Sequence, residues 1–357
     1  MLSEAFCDSP SILVAKALTG SWRTNPPPPE ISESEFDRVA PLLLGSGAAA
    51  LGWRRLAHSN LHPSTYNDFQ QAYRLLALQD SIHESEIRKI FSLLRASGIE
   101  PVLVKGWAIA RSYPETVLRP FGDMDIFVLP EQHALAQSVL SRPEAKGLWF
   151  DLHKKFEEFP GGNAEELFER SRLVKLGDYD VRVMSEEDHF ALLSIHMLRH
   201  GAWRPLWLCD IGAALETRAA SFDWQICLGR NNRRAKWITC AIGLAREFLG
   251  ARVNNDEIES RSRELPGWLV QTMLKQWESP FATNQPPMSY PEPMKKYLRN
   301  PLGVWEGIRV RWPDPIKATI DLGWAFNGLP RFPVQISHCI ARTFKFFSGL
   351  TEKSNII

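Results

Sequence analysis

Apolar and polar positions along this chain change their period twice. In the first part the period is helical. Ser32 and Glu35 have the spacing of a capping box and open "SEFDRVAPLLLGSGAAALGWRRL", a predicted helical stretch. A second predicted helix runs from about Asn67 to Ser97, with Ile87, Ile90, Leu93 and Leu94 on one face. The prolines of "NPPPPE" (Asn25 to Glu30) punctuate the chain ahead of both as an extended segment.

After Ser97 the period shortens. "PVLVKG" (Pro101 to Gly106) is a short apolar run ending in glycine, suited to a buried strand. "WAIARSY" follows as a helical turn or two. "MDIFVL" is a second strand stopped by Pro130, "EQHALAQSVLS" a helix, and "LWFDLH" (Leu148 to His153) a third strand. "DYDVRVM" also alternates like a strand. From Ser185 the helical period returns. "SEEDHFALLSIHMLRHG" opens on a Ser185/Asp188 capping pair, "LWLCDIGAALE" follows, and "RNNRRAKWITCAIGLAREFLG" has Gly250 as its C-cap. "NQPPMSYPEP" (Asn284 to Pro293) reads as a loop and the tail from Pro315 as mixed helix and loop. The predicted class is α+β, a small mixed sheet flanked by helices. The expected divisions are a helical region 1–97, an α/β core 98–184 and a helical domain 185–357.

Composition adds bounds. The chain has 357 residues, 44% hydrophobic and 23% charged, with a formal net charge of +1. That describes a soluble globular protein without a global pull toward nucleic acid or anionic membrane. Its five cysteines include no CxxC pair, which points to a reducing, cytoplasmic setting. The first residues lack a basic segment before a long apolar one, so no signal peptide is expected, and no run is long enough for a membrane span.

Candidate chemistry concentrates in "LRPFGDMDIFVL". On a strand, residues i and i+2 share a face, so Asp123 and Asp125 project together. Paired carboxylates repel unless a cation sits between them, and Mg²⁺ is the usual resident. Asp151, on the next strand, is the expected third carboxylate, with Asp180 as its rival. Three aspartates from adjacent strands suit two-metal phosphoryl or nucleotidyl transfer. Gly106 ends a strand and begins a helix, where backbone can approach a phosphate; Lys105 and Arg119 add cations.

These residues resemble the polymerase-beta-like nucleotidyltransferase superfamily. The order is an apolar strand with a glycine turn, then R-x-x-GDMD on a strand, then a third acidic strand. More closely, "LLRASGIEPVLVKGWAIARSYPETVLRPFGDMDIFV", "FDLH", "HMLRHGAWRPLWLCDIGAALE" and "FDWQICLGRNNRRAKW" are similar to the bacterial group called uncharacterised nucleotidyltransferases. The resemblance covers about Ser32 to Gly250. It implies a minimal nucleotidyltransferase sheet with a helical partner domain. The superfamily's usual glycine–serine turn is here Lys105-Gly106.

The expected activity is Mg²⁺-dependent transfer of a nucleotidyl group from an NTP, ATP included, to an acceptor, with release of pyrophosphate. Asp123, Asp125 and Asp151 would hold two ions, and Asp151 would assist deprotonation of the acceptor. Lys105, Gly106, Arg119 and Gly122 would contact the nucleotide. His153, which shares a face with Asp151, and the i, i+4 pair His196 and His200 would line the cleft. Plainer readings stand beside these: a turn with a capping aspartate, a salt-bridged Asp151, a Lys105 that only neutralises a carboxylate, an Arg119 paired with Asp123 or Asp125, and histidines that pack two helices. A His196–His200–Asp210 metal site is a further alternative. The Arg230 to Trp237 charge run suits RNA or a solvated face, and "RTFKFFSGL" suits a membrane surface or core packing. Two other functional classes remain: a catalytically degenerate nucleotide- or partner-binding protein, and an RNA-modifying enzyme or toxin.

Overall fold

A mixed five-stranded sheet, ordered β3-β2-β1-β5-β4, organises the computed structural model, which describes residues 9–159, 162–280 and 312–354, with side chains to residue 344. Four helices precede it: α1 (Pro10–Leu18), α2 (Glu33–Gly45), α3 (Ala49–Ala57) and α4 (Tyr66–Arg95). The sheet region comprises β1 (Val102–Val104), α5 (Gly106–Ala110), β2 (Met124–Phe127), α6 (His133–Leu140), β3 (Phe150–His153), α7 (Ala164–Arg170), β4 (Arg172–Leu176) and β5 (Tyr179–Val183). Then come α8 (Glu186–Arg199), α9 (Pro205–Thr217), α10 (Trp224–Leu228), α11 (Asn232–Leu249), α12 (Asp256–Ser262), α13 (Gly267–Gln276), α14 (Pro315–Asp321) and α15 (Phe332–Ser354). This is an α+β fold with helical regions on both sides of the sheet in sequence.

Local signals explain several boundaries. Ser32 and Glu35 form a reciprocal capping box at α2. Ser185 caps α8 by accepting the Asp188 N–H, and Gly250 ends α11 in the left-handed conformation. The first predicted helical stretch is two helices, because Gly47 takes φ +80° between them. Strand β4, RLVKL, has three apolar residues that do not alternate strictly with polar ones. It is an edge strand, mostly exposed, joined to β5 by a turn at Gly177.

The sheet's two faces have different partners. Met124, Ile126 and Val128 pack with Ile87 and Phe91 of α4 and Val139 of α6. Val102, Val104 and Phe127 belong to the larger core that contains Phe190 and Leu193 of α8. Strand alternation therefore turns Asp125 toward the α8 side. The Asn284–Pro293 segment and Cys7 lie outside the described residues. Among the described residues, no helix is long and apolar enough to cross a membrane.

Candidate active site

Register brings the carboxylates together. β2 and β3 run parallel with Asp125 opposite Asp151 and Phe127 opposite His153. Phe150 and Leu152 pack on the opposite face, so Asp151 and His153 share the face of Asp125. The His153 Nε2 lies 2.9 Å from Asp125 Oδ1 and 3.4 Å from Asp151 Oδ2. With its proton on Nε2, the ring donates to the first carboxylate and approaches the second. Phe156 packs against the ring with a centroid distance of 5.3 Å.

β1 and β2 are antiparallel, with Val104 opposite Asp125. Lys105, one residue on, therefore reaches across, and its Nζ is 2.6 Å from Asp125 Oδ1. The Asp125 side chain is only 10% exposed, whereas that of Asp151 is 61% exposed. Burial by itself would raise the Asp125 carboxyl, but the His153 hydrogen bond and the Lys105 ammonium hold it below its ordinary value.

The turn that places Lys105 is strained. Lys105 has φ +52° and ψ −144°, and Gly106 follows with φ +35°. Its backbone N–H donates to Nε2 of His189 on α8 at 3.1 Å. His189 is buried, and burial together with Arg119 and Arg111 pushes it down to about 3, so the neutral ring is available as an acceptor. A Cβ at Gly106 would sit 3.3 Å from the Phe121 ring. Lys105→Gly and Lys105→Ala both remove the ammonium, but only alanine keeps a Cβ in this conformation. Urea unfolding should find the glycine variant more stable than the alanine variant by about 1 kcal/mol; equal stabilities would mean that the turn stores no strain.

Other expected site residues fall in different places. Asp123 lies in a bend before β2 and is exposed. It is not part of the compact ligand cluster, which among the described residues comprises Asp125, Asp151 and His153 with donor atoms within 4.8 Å of one another. Gly122 is exposed, and a Cβ there would meet nothing within 4 Å. Asp180 is the second residue of β5, which runs parallel to β1, so it lies at the sheet end opposite Lys105 and pairs with Lys175 at 2.9 Å.

Arg119 is buried and turned to Asp210 of α9, at 2.8 Å from Nη2 to Oδ2, with Nε also donating to the same carboxylate. It pairs with neither Asp123 nor Asp125 directly. The Tyr113 hydroxyl donates to Asp210 Oδ1 at 2.8 Å. Asp210 is thereby committed, and no His196–His200–Asp210 metal cluster occurs among the described residues. The His196 and His200 rings lie tilted against each other with a centroid distance of 4.4 Å and pack on Trp207. His196 Nδ1 is 3.3 Å from Oε1 of Glu158. Burial raises the Glu158 carboxyl, but His196 outweighs it and holds Glu158 down to about 2. Sequence reasoning passed over Glu158 and His189. His189, His196 and His200 recur at helical spacing, a signal that would have grouped them on one stripe.

Of the C-terminal arginines, Arg233 donates to the Gly323 carbonyl, and Arg234 donates to that of Cys227 while lying over the Phe159 ring at 4.6 Å. Arg230 and Arg234 line a hollow of about 740 Å³ with Trp224 and Asn163, and none of Asp123, Asp125 and Asp151 lines it.

The donor set fits a divalent cation. Asp125 is buried and held ionised, and its Oδ2 has no hydrogen-bond partner among the described residues. Two carboxylates suit a hard ion such as Mg²⁺, and an imidazole beside them widens the choice to softer first-row metals. No curated protein and no solved structure matches this chain. A family model described as uncharacterised nucleotidyltransferase matches residues 32–250, more than half of the sequence. The carboxylates of β2 and β3 and the Lys105–Gly106 turn all lie inside that match, and the chain belongs to the uncharacterised nucleotidyltransferase family, an enzyme class that transfers nucleotidyl groups.

Proposed function

We propose that the protein transfers an NMP unit from an NTP to an acceptor oxygen at the Asp125–Asp151 edge of the sheet, with a divalent cation held by these two carboxylates. The observation that carries this reading is the parallel register, which sets Asp125 opposite Asp151 at the end where the Lys105–Gly106 turn opens. Mg²⁺, when bound, supplies charge neutralisation of the phosphates and of the attacking oxygen. Asp123, two residues before Asp125 in an exposed bend, joins as a further ligand when the ion binds. The acceptor oxygen attacks the α-phosphorus, the bond to the bridging oxygen breaks, and pyrophosphate leaves. Asp151 is the exposed carboxylate that takes the acceptor's proton. Lys105 leaves Asp125 to hold the leaving phosphates as a point charge, and the Gly106 backbone lets them approach. Arg119, spent on Asp210, positions the segment before β2 and does not touch the nucleotide.

One observation favours a second reading. Lys105 already neutralises Asp125 at 2.6 Å, as it would in a descendant that binds nucleotide without turning it over. Incubation with α-labelled NTPs, Mg²⁺ and a cell extract separates the two. Transfer should label an acceptor and release pyrophosphate, and Asp151→Asn should slow both by about a hundredfold. Since Asp151 is exposed, the same substitution should change stability by less than about 0.5 kcal/mol. Nucleotide binding with no label transferred to any acceptor would retire the enzymatic reading in favour of the second.

A further inference from the structure

A separate cavity of about 140 Å³ lies among residues of α5, β4 and α8. None of the carboxylates discussed above lines it. Three guanidinium groups do: Arg111 after α5, Arg172 on β4 and Arg218 after α9. The one carboxylate in the lining is Glu186, and it is spent. Its Oε1 holds Arg172 at 2.6 Å, and its Oε2 accepts the Ala219 N–H at 2.8 Å.

The other two arginines have no carboxylate partner among the described residues. Arg111 lies over the Trp107 ring at 5.7 Å. Arg218 donates to the carbonyls of Leu215 and Asn254 and lies over the Trp224 ring at 5.4 Å. Arg111 is exposed at the cavity mouth and Arg218 half-buried; desolvation holds both below the ordinary arginine value, and for Arg111 the nearby Arg172 adds to this while Glu186 opposes it. His189 completes the lining. Its Nε2 accepts from Lys105, so the neutral ring carries its proton on Nδ1, which has no partner among the described residues. The cavity is thus lined by two cations that have no carboxylate ion pair and by a neutral imidazole.

We infer that this cavity is a binding site for a small tetrahedral phosphoryl anion, separate from the carboxylate site and joined to its turn through His189. Guanidinium forks match phosphate oxygens in charge and geometry. The volume suits a phosphate group or a pyrophosphate, not a nucleoside. The occupant is free phosphate, pyrophosphate, or the terminal phosphate of a larger molecule whose remainder stays outside. Because His189 both lines the cavity and holds the Lys105 N–H through Nε2, an anion there acts on the strained turn through His189. The site stands whether or not the carboxylates perform transfer.

Calorimetric titration of the full chain with inorganic phosphate, pyrophosphate and AMP, each in EDTA, tests this. The chelator removes the cation that would draw anions to Asp125 and Asp151. At least one of the three anions should bind with one-to-one stoichiometry at millimolar concentration or below. The Arg111→Gln/Arg218→Gln variant should weaken that binding by about tenfold or more. Glu186→Gln frees Arg172 while keeping an acceptor for Ala219, and should tighten binding severalfold, a gain that misfolding cannot imitate. Preference for phosphate, pyrophosphate or AMP identifies the source. Absence of binding by all three, or an arginine double variant that binds like the parent, would each overturn the proposal.

Discussion

Asp125→Asn is expected to lower turnover by at least about a hundredfold and to destabilise the fold as well. The loss of turnover follows from charge. A neutral amide cannot hold a divalent cation beside triphosphate, and its NH₂ group would face the ammonium of Lys105 and the N–H of His153. The stability loss follows from burial. The two charges are 2.6 Å apart, with side chains 15% and 10% exposed. Removing one partner of such a pair leaves the other charged and poorly solvated, at a cost of about 3 kcal/mol. The sequence suggests the opposite sign, since two neighbouring aspartates should repel and an asparagine should relieve them. Lys105 reverses that expectation because it already compensates Asp125. Pyrophosphate release and urea unfolding measured on the same variant check both parts. An inactive variant as stable as the parent would show that the Lys105–Asp125 pair contributes little net stability.

Arg119→Met should be the most destabilising single change near the site, by about 3–5 kcal/mol. Asp210 is fully buried, and its carboxylate is held by the Arg119 fork and the Tyr113 hydroxyl. Burial would lower the Arg119 guanidinium, yet Asp210 keeps it above its ordinary value. Methionine fills a similar volume but leaves Asp210 charged in an apolar setting with one donor. Adding Asp210→Leu should recover most of the loss, since a buried ion pair is replaceable by well-packed apolar groups. A remainder is expected from Tyr113, whose hydroxyl would then lack its acceptor. Urea unfolding of the single and double variants measures this, alongside NTP affinity under conditions where each is folded. A normally stable Arg119→Met with lost NTP affinity would return Arg119 to the nucleotide.

The readable parts of the fold were those with strong local signals. The Ser32/Glu35 box, the Ser185 cap, the Gly250 terminus and the apolar runs at Val102, Met124 and Phe150 each carry their own short-range chemistry. β4 escaped because its apolar residues Leu173, Val174 and Leu176 do not alternate strictly with polar ones, and its place at the sheet edge is set by pairing with β5. The pairing of Asp125 with Asp151 was legible for a different reason. An i, i+2 alternation on β3 also fixed which face His153 would take, once the strands were assumed to be neighbours.

Partners across long sequence separations were not legible. Arg119 and Asp210 are 91 residues apart, and Lys105 and His189 are 84 apart. Nothing in either neighbourhood marks the other, because such pairs form only when α8 and α9 pack over the sheet. The sequence by itself determined the helical and strand periods, the caps, the acidic positions and the family to which they belong. Tertiary structure alone decided that Lys105 neutralises Asp125, that Arg119 is spent on Asp210, that Asp123 stands apart in a bend and that three arginines surround one occupied carboxylate. The physical reason is that periodicity and capping act within a few residues, whereas charge compensation depends on which buried groups the packed chain brings within a few ångströms.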